Sequence, residues 1–232
     1  MSRIFLLSVL TLLTVADALA GDITGIVRAQ GKTGADNATA ADGAYASRKY
    51  KFLEKVDYSA MHDFVVYIEG KVGTNSAPAT NVTSVTTTRV AQQGAMFTPH
   101  VKPVMVGTTV EWPNRDEIYH NVFSMSDAKQ FDLGLYKGEA PEKAQVFDKP
   151  GRVDVFCSIH ANMHCIVLVL ENPYFAATDE RGRYAITNVP PGVYKLKAWH
   201  ERLPADEREI TVPTNGEVKV DFTLGIKNLP TY

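Results

Sequence analysis

Apolar positions in this 232-residue chain fall in short runs separated by polar, turn-forming residues. The runs are "DITGIVRA" (22–29), "DFVVYIEG" (63–70), "VTSVTTTRV" (82–90), "VKPVMVGTTVEW" (101–112), "IYHNVFS" (118–124), "GRVDVFC" (151–157) and "IVLVL" (166–170). After residue 171 come "GRYAITNV", "GVYKLKAWH", "REITVP" and "EVKVDFTLG". All are rich in Val, Ile, Thr and aromatics and are bounded by Gly, Pro, Asn or Asp, which predicts antiparallel strands in sandwiches or barrels. Turn chemistry joins the later ones: "DERG" at 179–182, "PPG" at 190–192 and the hairpin signal Asn215-Gly216.

Three stretches break the pattern. Residues 33–61 begin small and polar ("TGADNATAADGAY") and continue as "ASRKYKFLEKVDYSAM", which predicts an excursion between two strands with a short helix. Residues 73–81, "GTNSAPATN", have linker composition. Asn37 and Asn81 head N-x-T triplets that fit surface loops. At the N-terminus Arg3 precedes an apolar run from Ile4 to Val15, and Ala18 and Ala20 sit three and one before a plausible cut. That is the layout of a cleaved export signal over 1–20, with a mature chain beginning near Gly21.

Charge narrows the class. The chain carries 24 basic and 26 acidic residues for a formal net charge of -2, whereas a nucleic-acid binder would show a basic face or stripe. Beyond the leader no apolar stretch is long enough to cross a bilayer. The mature chain can bury one large core or two small ones. In an oxidising compartment its two cysteines first suggest a disulfide.

Both cysteines lie in "FCSIHANMHCIVLV" (156–169), with His160, Met163 and His164 between them. A Cys157–Cys165 disulfide would close only a small loop, stabilising by roughly 2 to 3 kcal/mol, and would leave three ligand-type residues idle. Cys157, His160, His164 and Cys165 also offer a two-Cys, two-His set for zinc. Residues 164 and 165, however, face opposite ways if a strand starts there. Cys157, His160 and Met163 form Cys-x2-His-x2-Met between an entering and a leaving strand, and the soft thioether shifts the preference toward copper. A fourth donor must come from elsewhere. His120 is the candidate, because in "EIYHNVFS" it shares a strand face with Val122. Two imidazoles and a thiolate in a plane with a weak axial methionine make a blue-copper electron-transfer centre. Asn121 is a candidate supporting residue, its N–H toward the Cys157 sulfur and its side chain fastening one loop to another. His62, His100 and His200 read as structural or surface histidines, Trp112 and Trp199 as core or interface aromatics, and "ERLPADERE" (201–209) as a solvated edge with weak ion pairs.

The stretch "VGTTVEWPNRDEIYHNVFS" followed by "GRVDVFCSIHANMHCIVLV" resembles cupredoxins of the plastocyanin and amicyanin group, and its short ligand loop looks most like amicyanin's. The likeness runs over 85–170. It implies a Greek-key β-sandwich, one-electron transfer, and the copper ligands His120, Cys157, His160 and Met163. His164 and Cys165 depart from the family's pattern and are rival donors. A second stretch, "YFAATDERGRYAITNVPPGVYKLKAWHE", resembles the carboxypeptidase regulatory-like domain, a noncatalytic transthyretin-like sandwich. The Gly-x-Val and apolar-strand pieces that should precede it are missing after residue 171, but "ITGIVRA" and "FVVYIEG" fit them.

The expected architecture is therefore all-β: a cupredoxin sandwich (85–170) inserted into a transthyretin-like sandwich made of 21–70 and 171–232, with 71–84 as linker. The inserted ends should lie close together. No His-x-His pair, Cys-x3-Cys, Gly-x-Ser-x-Gly or His-Glu-x-x-His is present, so no enzyme is expected. The expected function is a periplasmic electron carrier holding one Cu(I)/Cu(II) ion, serving a periplasmic dehydrogenase or a c-type cytochrome. The alternative is a copper-binding or envelope interaction module without electron-transfer turnover.

Overall fold

The computed structural model describes residues 20–31, 57–72, 86–138 and 143–225. The expected leader up to residue 19, most of the 33–61 excursion, the 73–81 segment and both N-x-T triplets lie outside the described residues. From the expected helix of that excursion the described part shows one 3-10 turn, Tyr58–Ala60, whose cap Asp57 accepts the Ser59 N–H at 2.9 Å.

The strands in chain order are β1 (Gly21–Gln30), β2 (Val65–Ile68), β3 (Thr87–Arg89), β4 (Ala91–Gln93), β5 (Met96–Thr98), β6 (Val101–Met105), β7 (Thr108–Glu111), β8 (His120–Ser126) and β9 (Lys129–Tyr136). They continue as β10 (Ala144–Phe147), β11 (Gly151–Phe156), β12 (His164–Leu170), β13 (Phe175–Ala177), β14 (Arg183–Val189), β15 (Gly192–His200), β16 (Leu203–Val212), β17 (Glu217–Lys219) and β18 (Phe222–Gly225). The expected all-β class is what the structure shows.

Strand pairing divides the chain in a way sequence order does not. β1 pairs with β14 on one edge and with β17 and β18 on the other; β2 lies between β13 and β15, with β16 outermost. The two sheets enclose one core, to which β1 gives Ile23 and Val27, β2 gives Val66 and Ile68, and the C-terminal strands give Ile186, Leu196 and Phe222. The described strands between β2 and β13 form the second sandwich: the sheet β6-β12-β11-β8-β9 faces β10-β7-β3 across Val104, Val110, Trp112, Val122, Phe147, Val155 and Val167, beside the β4–β5 hairpin. The insertion's ends meet through Asn172, 5% exposed, whose Nδ2 donates to the carbonyls of Ile68 at 2.8 Å and Gly70 at 2.6 Å while its Oδ1 accepts the Tyr174 N–H at 2.9 Å.

Two features depart from the sequence expectation, and a third fits it. The single run over 101–112 splits at Gly107 (φ +90°), and its halves β6 and β7 enter opposite sheets. β4, β5, β9, β10 and β13 were not anticipated; β9 is an irregular partner, shifting register against β8 between Asn121 and Phe123, close to Gly134 at φ +68°. The polar cluster over 201–209 falls largely within β16, the edge strand beyond β15, and carries surface ion pairs such as Lys197–Glu207.

The apolar continuity of β12 has a specific cause: the strand is buried on both faces. Cys165, Val167 and Val169 point into the inserted sandwich, whereas Ile166, Leu168 and Leu170 pack with Val65, Val101, Tyr67, Phe175 and Trp199 in a third apolar cluster between the two sandwiches. Trp199 is thus an interface aromatic, and Trp112 a core one with no exposed surface.

Candidate metal centre

β11 and β12 form a hairpin, Phe156 opposite His164, so residues 157–163 are its tip. Two backbone bonds shape that tip: Cys157 N–H donates to the Met163 carbonyl at 3.1 Å, and Met163 N–H to the His160 carbonyl at 3.0 Å. β8 runs beside β11, Phe123 opposite Phe156, and brings its first residue, His120, to the same end of the sheet. Cys157 and His160 from the tip and His120 from the strand therefore converge from segments almost forty positions apart.

The convergence is close. His120 Nδ1 lies 3.1 Å from His160 Nδ1, and Cys157 Sγ lies 3.6 Å from His160 Nδ1. All three donor atoms are within 4.8 Å of one another. Nitrogen and sulfur donors about 2.0 to 2.3 Å from a single ion would be spaced in this range. Two imidazole nitrogens facing each other at hydrogen-bond distance can share only one proton, so at least one directs a lone pair inward. The donor set, nitrogen with soft sulfur, suits copper or zinc. Met163 closes the same tip and is 1% exposed, in the same apolar cluster as Cys157.

The surrounding residues fix these donors. His120 is fully buried, and its Nε2 donates to Asp116 Oδ2 at 2.8 Å, which leaves Nδ1 as the nitrogen available for an ion. Asp116 also accepts the N–H groups of Gly94 at 2.7 Å and Ala95 at 2.9 Å. The Ala95 amide has the largest effect, and burial, next in size, opposes it; with the Gly94 amide and the His120 ring added, the carboxyl is held below the usual aspartate range. Asn114 sets the loop: its Oδ1 accepts the Asp116 N–H at 2.9 Å, and its Nδ2 donates to the carbonyls of Ile118 and Tyr136. The backbone N–H of Asn121 points at Cys157 Sγ at 3.4 Å. Its side chain does not tie ligand loops together; it donates to Asp132 Oδ1 at 2.6 Å and so fastens β8 to β9. Sequence reading missed Asp116, Asn114 and Asp132. The one signal for Asp116 was a carboxylate four positions before His120, a pattern too common to single out.

The rival donors separate as the strand alternation requires. His164 turns to the junction face, stacked on Phe156 at 4.7 Å between ring centroids, with Nε2 3.0 Å from Asp154 Oδ1. Cys165 points the other way into the apolar core, 1% exposed, where burial and then the Asp154 charge raise its thiol well above the ordinary value. The two cysteines are not joined, and the two-Cys, two-His zinc set is not assembled. Around the tip, Phe156 and Ile159 are exposed, as are Ile118 and Tyr119 just before His120, while His160 is half-buried between them.

Residues 166–225 match the family profile of the carboxypeptidase regulatory-like domain, a match that begins inside β12. No curated protein sequence matches the chain. Among solved structures, a Cu-containing nitrite reductase from Thermus scotoductus SA-01 is similar at 28% identity and TM-score 0.34, over 36% of this chain and 22% of the reductase, so the chain spans under a quarter of that protein. A reduced Cu(I) form of an amicyanin mutant is similar at 27% identity and TM-score 0.31, over 35% of this chain and 79% of the amicyanin. A purple cupredoxin from Nitrosopumilus maritimus is similar at 25% identity and TM-score 0.30, over 35% of this chain and 97% of the cupredoxin.

Proposed function

We propose that this chain, which combines a cupredoxin-like fold with a carboxypeptidase regulatory-like domain, is an exported electron carrier that holds one copper ion and is not an enzyme. The observation that carries the reading is the meeting of His120 Nδ1, His160 Nδ1 and Cys157 Sγ within 4.8 Å on a scaffold that reaches them from separate strands. His120, Cys157 and His160 hold the ion in this reading, with Met163 as a weak fourth ligand. Bound copper supplies a one-electron couple between Cu(I) and Cu(II), and no substrate bond is broken.

The chain's own residues do the rest. Asp116 holds the His120 ring in one tautomer, and the Asn121 N–H donates to the thiolate, stabilising its charge. The backbone bonds within the hairpin tip keep the donors in place whichever charge they face. His160 is the donor nearest solvent, so its ring edge is the route for electron exchange with a partner. The exposed side chains of Ile118, Tyr119, Phe156 and Ile159, with Ala161 and Asn162, give a partner an apolar surface there. No helix among the described residues is long and apolar enough to cross a membrane. The N-terminal leader pattern supports export to the periplasm, where a dehydrogenase or a c-type cytochrome is the expected partner.

The test is titration of the purified chain with Cu(II), followed by visible absorption and electron paramagnetic resonance, beside Cys157→Ser. The expected result is one equivalent of copper with an intense thiolate-to-copper band that vanishes in the variant. A band that survives loss of that sulfur refutes the ligand set. Copper binding with no such band in the unmodified chain would instead favour an interaction module.

A further inference from the structure

A second group of metal-type donors lies outside that cluster. A cleft of about 530 Å³ opens between the two sandwiches, and His62, Asp63, His100, His164, His200 and Glu201 are among the residues lining it, together with Arg202. Four of the chain's six histidines thus face one space. His200 is already committed: it is 6% exposed, packs on Phe64 at 5.0 Å between ring centroids, and its Nδ1 accepts the Arg202 N–H. His62 pairs with its neighbour Asp63.

The remaining three are arranged differently. His100 comes from the turn between β5 and β6, His164 opens β12, and Glu201 sits in the β15–β16 turn of the other sandwich. Each offers one donor atom, and the three atoms lie within 4.8 Å of one another. Their partners determine which nitrogens carry protons. His100 Nδ1 faces the His164 carbonyl at 3.2 Å, and a carbonyl only accepts, so the proton sits on Nδ1. The other nitrogen, Nε2, then faces Glu201 Oε1 at 3.0 Å, which places two acceptors opposite each other unless a cation stands between them or the ring takes a second proton. His164 Nε2 faces the Asp154 carboxylate at 3.0 Å and holds its proton there, leaving Nδ1 bare. Asp154 in turn is clamped by Arg152 through two bonds of 2.9 and 2.7 Å.

We infer that His100, His164 and Glu201 form a second divalent-metal site, suited to Zn2+, that bridges the inserted sandwich to its host. Two imidazole nitrogens and one carboxylate oxygen match the preference of a borderline ion. Carboxylate and carbonyl partners on the outer nitrogens are the usual way such ligands are oriented. Three protein donors leave a coordination position open toward the cleft, by which the ion enters and water completes the shell. Because His164 follows Met163 directly, an ion held there also braces the hairpin that carries the first cluster. The inference does not rest on the copper reading, since the two donor sets share no residue.

The test loads the full chain with one equivalent of copper, to occupy the thiolate cluster, and then titrates Zn2+ by calorimetry with metal analysis after gel filtration. One further equivalent of zinc, bound without loss of the copper absorption, is expected. Glu201→Gln and His100→Ala are each expected to weaken zinc binding at least tenfold, and Asp154→Asn roughly 10- to 100-fold as a positioning residue. Cys157→Ser protein, which lacks the first cluster's sulfur, is expected to take up zinc with unchanged affinity, so failure of the copper reading leaves this test intact. The inference is overturned if neither the copper-loaded chain nor Cys157→Ser binds zinc, the result of a plain His100–Glu201 ion pair. It is equally overturned if zinc binding persists unchanged in both Glu201→Gln and His100→Ala.

Discussion

Truncating Asp116 to alanine tests the tautomer argument for the candidate centre without touching any proposed ligand. In the native chain Asp116 Oδ2 accepts His120 Nε2–H at 2.8 Å and Ala95 N–H at 2.9 Å, while Oδ1 accepts Gly94 N–H at 2.7 Å. Without the carboxylate the buried His120 ring has no acceptor for its Nε2 proton. The proton then moves to Nδ1, the atom 3.1 Å from His160 Nδ1, and has to be displaced before an ion can bind. Loss of an outer partner of this kind costs roughly 10- to 100-fold in metal affinity, or about 1.4 to 2.8 kcal/mol at ~1.4 kcal/mol per tenfold.

Asp116→Asn separates orientation from charge. An amide oxygen in the Oδ2 position still accepts from Ala95 and His120, but its NH2 group then meets the Gly94 N–H, donor against donor. Copper affinity intermediate between native and Asp116→Ala is therefore expected. The assay is competition for copper against a chelator of known affinity, with urea unfolding of the metal-free proteins in parallel to separate binding from folding. Native copper affinity in Asp116→Ala would refute the tautomer argument. So would equal losses in the two variants that merely track their urea midpoints.

Two further outcomes are expected. Asn172→Ala strips partners from two carbonyls and one N–H where the inserted segment leaves and rejoins its host, and at about 1–3 kcal/mol per unsatisfied buried group, relieved by water at the half-buried Gly70, it should cost about 2–4 kcal/mol in urea unfolding; a change below about 0.5 kcal/mol, the scatter of ordinary surface substitutions, would show that the tie is not stabilising. The Asp132 carboxyl is held below its ordinary value by the Gly134 N–H first and the Asn121 side chain second, so the stability it adds is present above its unfolded value near 3.8 and is lost as pH falls through the lower folded value. Urea midpoints of native and Asp132→Asn protein should therefore differ at pH 7 and converge toward pH 3, and a gap that widens in acid would overturn that sign.

The donors of the candidate centre were legible because they are local or periodic. Cys157 and His160 sit three positions apart in one turn, and His120 was found from the alternation that puts it beside Val122. What supports them was not legible, because it depends on where loops land. Asp116 acts on His120 only because Gly94 and Ala95, from the β4–β5 hairpin, hold it there, and no spacing within 114–120 encodes that approach. Asn121 shows the same limit: its N–H was placed by strand direction, whereas its side chain went to a partner on β9, a strand the apolar pattern did not reveal. β9 does carry Phe131 and Leu133 at alternate positions on the inserted core, but the register break beside Gly134 leaves Leu135 exposed, so the alternation is only two core-facing residues long and too short to stand out.

The junction between the sandwiches explains both what was read and what was not. "IVLVL" looks like any buried strand, and continuous apolarity does not say what covers each face. The host sandwich covers one of them, so the even-numbered side chains of β12 face Val65, Tyr67 and Trp199 while the odd-numbered ones fill the inserted core. That same parity takes His164 out of the thiolate cluster and delivers it to the cleft, where His100 and Glu201 arrive from positions 64 residues before and 37 residues after it. A histidine next to a ligand-type methionine reads as a rival donor only while the partner face is unknown. Once the host sandwich closes over that face, His164 belongs to a different group of side chains, and the distance between the two readings is one residue of strand register.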